Sequence, residues 1–155
     1  FLGELCACVK RTDAHAKTAI ALLPQDLGQL DELAALPHLD TLGGHLFWQL
    51  LCEPISAVEE WGRDIVEVTR KHEKRNQLWL QNFNLDEDKE QELETAFGQL
   101  LGTEPDEIGC YYYWRNNQNP TRVWQTTHNL LKRIPRRQLH WHASSSHSQG
   151  EKQAL

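Results

Sequence analysis

Along most of the chain, apolar residues recur at alternating steps of three and four, the spacing of a helix with one buried side. The longest such stripe runs from Ser56 to Phe83 through Val58, Trp61, Ile65, Val68, His72, Arg75 and Trp79. Ser56 and Glu59, directly after Pro54, spell an S-x-x-E capping box, and Glu60 and Asp64 suit the positive end of a helix dipole. The spacing predicts one long central helix over 56–83. Its polar break at His72 and Arg75 marks either a helix leaving the core or a contact surface.

The flanking segments read the same way. Leu2, Leu5, Val9, Ala16, Ile20 and Leu23 form a first stripe, notched at Thr12 and Asp13 and closed by Pro24. Asp26 is a cap for Leu27, Leu30, Leu33 and Ala34, ending before Pro37. Asp40 or Thr41 opens a third helix through Leu42, Leu46, Leu50 and Leu51, with Gly43-Gly44 weakening its first turn and Pro54 closing it. Phe47 and Trp48 make that segment apolar nearly all round, as a deep core helix would be. Beyond the central stretch, Asp86 caps Glu87–Leu101, with Leu93, Phe97, Leu100 and Leu101 inward and Gly102 as the stop. Thr103-Glu-Pro-Asp106 starts a further helix holding Ile108, Tyr111, Tyr112 and Trp114. Asn119-Pro120 starts the last, with Val123, Trp124, Thr127, Leu130, Leu131 and Ile134 on its face and Pro135 beyond. No segment shows a clear period of two; Tyr111–Trp114 comes nearest. The expected fold is all-α, a compact bundle of about six to eight helices around the central one. Residues 1–135 form the single domain, and 136–155 form a flexible tail containing Ser and His.

Composition adds an asymmetry. Through Trp114 there are nine lysines and arginines against 21 acids; from Arg115 onward there are seven against one, Glu151. An acidic body with a basic end suits contact with an acidic partner. The chain begins at Phe1 and contains no methionine, so a piece of a larger protein is expected. No apolar run approaches the roughly 18–20 residues of a membrane span. Cys6, Cys8, Cys52 and Cys110 contain no C-x-x-C, and Asn119-Pro120-Thr121 is spoiled as a glycosylation acceptor by its proline. Reduced thiols in an intracellular protein, cytoplasmic or nuclear, are therefore preferred over two disulfides in a secreted helical ligand.

Three patterns could carry chemistry. Phe97–Ile134 resembles the helix order of a helix-turn-helix unit, or of the middle of a death-fold domain, but not residue by residue. Glu104, Asp106 and Glu107 would repel phosphate where a DNA reader needs cations. Next, Tyr112, Tyr113, Trp114 and Trp124 lie among Arg115, Arg122, Arg133, Arg136 and Arg137. Tyr, Trp and Arg are the residues that anchor protein interfaces, and interleaved they also stack single-stranded nucleic acid. Arg70, Lys71, Lys74 and Arg75 offer a secondary basic surface. Finally, Glu59, Glu60, Asp64 and Glu67 share helical spacing, but surface carboxylates flanking a buried stripe are far commoner than a metal-dependent hydrolase. His128, His140, His142 and His147 lack a shell to hold a metal. With no H-E-x-x-H, Gly-rich phosphate loop or G-x-S-x-G, the expectation is a non-enzymatic, regulatory protein-interaction domain needing no cofactor or metal. Nucleic-acid binding through the same aromatic–basic residues is the alternative.

Overall fold

The computed structural model describes residues 1–83, 85, 89–110 and 121–134. It is not an all-α bundle. Four strands, β1 (Ala19–Leu22), β2 (Thr41–Leu46), β3 (Arg75–Leu80) and β4 (Glu107–Cys110), form one parallel sheet in the order 1-2-3-4. The helices are α1 (Leu2–Thr12), α2 (Leu30–Ala34), α3 (Ser56–Lys71), α4 (Glu90–Gly102) and α5 (Thr121–Leu131), with a 3-10 segment at Pro24–Gln29 before α2.

The long central helix is therefore two elements. Helix α3 stops at Lys71, His72 caps it, and Glu73 takes a left-handed φ of 57°. From Arg75 the chain alternates: Asn76, Leu78 and Leu80 are buried while Arg75, Gln77 and Trp79 are not. The capping box does not form either, since no side chain caps α3 and Glu59 pairs with Arg63 instead. Three further helices are corrected in the same way. The first stripe is a helix only to Thr12, and Ala19–Leu22 is a strand. The segment from Thr41 is β2, its two glycines suiting a crowded sheet. The segment after Thr103 is β4, which removes the helix-turn-helix and death-fold resemblance altogether.

The sheet order has a geometric consequence. Each new strand is added on the same side of the one before, and parallel crossovers are right-handed in nearly all proteins. All crossover helices must then lie on one face. Strand register shows which: Leu22, Leu42, Gly44, Leu46, Asn76, Leu78, Leu80, Ile108 and Cys110 point to the helices. A Cβ on Gly44 would collide with the Ile65 side chain of α3, so the glycine lets the helix approach. Val58, Ile65 and Val66 from α3, Leu93, Phe97 and Leu100 from α4, Val123 and Leu130 from α5, and Ile134 just beyond it complete one core. Cys6 and Leu30 join it from the amino-terminal side.

Candidate functional site

The opposite face carries Ala19, Ala21, Thr41, Gly43, His45, Arg75, Gln77, Trp79, Glu107 and Gly109 by register. Ala19, Ala21 and Arg75 are exposed, and His45, Gln77, Trp79, Glu107 and Gly109 are half-buried. Among the described residues no helix covers it. Parallel sheets are normally covered on both faces.

The face is divided. Over β3 and β4 it is a polar ladder: Arg75 pairs with Glu107 at 2.7 Å, the Gln77 amide donates to Glu107 at 2.8 Å, and the Trp79 indole N–H donates to Gln77 at 2.9 Å. The Trp79 ring lies across β4, where a Cβ on Gly109 would stand 2.7 Å from it. Over β1 and the start of β2 the side chains are small. Towards the carboxyl end the face turns aromatic. His45 lies 5.1 Å from the Phe47 ring and 6.1 Å from Trp79, and Phe47 meets Phe83 edge-on at 5.0 Å. Burial lowers the pKa of His45, so it carries no charge near neutral pH.

The carboxyl ends of the strands, where open α/β sheets place their ligands, are built from buried amides. Gln81 and Asn82 follow β3 and are both fully buried. The Gln81 carbonyl oxygen accepts from the backbone N–H of Gln49 at 3.2 Å and Leu50 at 3.3 Å, and its amide donates to the Phe83 carbonyl at 3.1 Å. Gln81 thus fixes the loop that follows β2. Asn82 differs: neither its oxygen nor its nitrogen has a hydrogen-bond partner among the described residues. Nearby, the Trp48 indole donates to Glu92 at 3.2 Å, and the hydrogen bond from Lys89 holds that carboxylate below its ordinary range. At the end of β4, burial pushes the Cys110 thiol up to about 12.

At the amino ends, by contrast, every strand entrance is tied. The Asp40 carboxylate receives Lys10 at 2.7 Å and the Thr18 N–H at 2.8 Å, and the Thr18 hydroxyl donates to the His38 carbonyl. Burial opposes its charge, but those partners, with the Thr18 hydroxyl at 3.1 Å, hold its pKa well below the carboxylate range. Asn76 and Asp106 exchange bonds reciprocally, N–H to carboxylate at 2.9 Å and N–H to amide oxygen at 2.7 Å.

The secondary basic surface expected from sequence lies at this end, and its four cations are engaged within the chain. Arg70 donates to the Glu104 carbonyl at 2.8 Å, Lys71 meets Asp31 at 2.6 Å, Lys74 donates to the Leu39 carbonyl at 2.9 Å, and Arg75 meets Glu107. His72 shares Asp31 at 3.0 Å. Of the aromatic–basic stretch, Tyr112, Tyr113, Trp114, Arg115, Arg136 and Arg137 lie outside the described residues. Arg122 and Trp124 fall within α5, their side chains outside the description, and Arg133 is exposed just after it. His140, His142 and His147 are outside as well. Glu60, Asp64 and Glu67 are exposed on α3, and no group of three metal-ligating side chains occurs among the described residues. Cys6, Cys8, Cys52 and Cys110 are free thiols. No described helix is long and apolar enough to cross a membrane.

The open face and the buried amides escaped the sequence reading because both depend on β3 being a strand. The one available signal was the alternation of Arg75–Leu80. No protein-family model, no characterised protein and no solved structure matches the chain.

Proposed function

We propose that this chain is a non-enzymatic protein-interaction module whose partner packs on the sheet face that no described helix covers. The observation that supports this is that, among the described residues, helices pack on one face of the sheet only. A strand order of 1-2-3-4 commits the crossover helices to one face and leaves the other to something else. The small residues of β1 and β2, exposed at Ala19 and Ala21, provide room for a partner's larger side chains. The aromatic–basic residues from Tyr112 to Arg137 remain, on sequence grounds, a second contact for the same or another protein.

A photo-crosslinking phenylalanine analogue placed at Ala21, on the open face, tests the reading in cells. It should give a discrete adduct with another protein that is absent when the analogue replaces the exposed Glu67 of α3, and Trp79→Arg should abolish it. Equal labelling from both positions, or none from Ala21, removes the proposal.

A further inference from the structure

Independently of the open face, we infer that Asn82 forms the floor of a small-ligand site at the carboxyl end of β3. The ligand it fits is a planar, neutral group presenting a hydrogen-bond donor beside an acceptor, such as a primary amide or a nucleobase edge.

Buried carboxamides in folded proteins nearly always find partners, and each exception calls for a reason. Asn82 is fully buried, with both amide atoms unmatched among the described residues, while the adjacent Gln81 has its oxygen and nitrogen both engaged. An unmatched amide destabilises the protein that carries it, and a leucine of similar size would not. Retaining Asn82 therefore makes sense where the amide is matched by something outside the chain. Its position agrees: the carboxyl ends of parallel strands are where such sheets receive ligands.

The surroundings set the ligand class. Donor and acceptor are both unmatched among the described residues, so the complement must offer both. The helices that start here open with acids, Glu59 and Glu60 in α3 and Glu92 and Glu94 in α4, which disfavours an anion. The local cation, Lys89, is held by Glu92 at 2.6 Å. Trp48, Phe47 and Phe83 lie next in sequence to the loop and amides concerned, and rings favour a flat group. The loop after β2 is held by Gln81, the neighbour of Asn82. That loop bears an exposed Leu50 and a left-handed Cys52 at φ 57°, and it is tied to Gln81 by its two longest bonds.

Thermal unfolding of the whole chain with benzamide as probe tests this. Asn82→Leu should melt higher than the native chain by about 3 °C. Millimolar benzamide should raise the midpoint of the native chain but not that of Asn82→Leu, and N,N-dimethylbenzamide, which lacks the N–H donor, should raise neither. If Asn82→Leu does not fold, Asn82→Ala takes its place in the benzamide comparison. A lower midpoint for a folded Asn82→Leu, no shift of the native chain with benzamide, or an equal shift in native and variant overturns the inference. So does a bound water that satisfies the amide and stays when benzamide is present.

Discussion

The two ends of the sheet are made from the same kinds of residue and treat them in opposite ways. At the amino end, a side-chain oxygen of each of Asp40, Asn76 and Asp106 accepts a backbone N–H at a neighbouring strand entrance. At the carboxyl end, Gln81 and Asn82 sit side by side, equally buried, and Asn82 is left unmatched among the described residues. A purely structural pressure would satisfy both ends alike. The difference teaches that the amino end holds the fold together, and the inferred site at the carboxyl end would make its unmatched amide a trade of stability for function.

The largest effect should come from Asp40, which gathers α1, β1 and β2 at one carboxylate. Asp40→Ala is expected to cost about 2–3 kcal/mol, since it strands Lys10 and the Thr18 N–H in a half-buried place. The shift of the urea midpoint at constant slope reports it. The sign with pH follows from the lowered pKa of Asp40. Its contribution is fully present above the ordinary carboxylate range and is lost as pH falls below about 4, towards the lowered value. The native chain should therefore lose stability over that window more steeply than Asp40→Ala.

Next in size, Asn76→Ala should cost about 2 kcal/mol, because it leaves the Asp106 N–H without its acceptor. If the carboxyl end were built on the same plan, Asn82→Leu would do similar harm, whereas the expected change has the opposite sign. That reversal is the sharpest way to break the comparison. The smallest effects concern the turns at the amino end, where Glu73 and Glu104 hold positive φ values of 57° and 54°. Glycine at either position should stabilise by about 0.5–1 kcal/mol by relieving the left-handed strain on a residue with a Cβ. Equilibrium unfolding of Glu73→Gly and Glu104→Gly measures it. A loss instead would mean that these side chains take part in the interlock.

The helices were largely legible in the chain. Val58 and Ile65 were expected inside, and they are; so were Leu93, Phe97 and Leu100. The strands were not, for a definable reason. Leu42 and Leu46 are four apart, a step that returns to the same face in a helix and, being even, also in a strand. Val68, His72, Arg75 and Trp79 prolong the stripe of α3 by coincidence of spacing. The polar break at His72 and Arg75 was the real message: the helix ends there. Strands β1 and β4 have four residues each, too few for any period to show. Asn82 was invisible because a sequence shows an amide but not its burial.

Folding order is also written into the sheet. Each strand pairs with the strand before it, Ala19 with Thr41, Thr41 with Arg75, Gln77 with Glu107, so no strand must wait for a distant stretch of chain to find its place. Loop closures of this kind stay short for a parallel sheet, and short closures favour fast folding. During synthesis the β1–β2 pair can form while β4 is still unmade, each completed strand then serving as the template for the next.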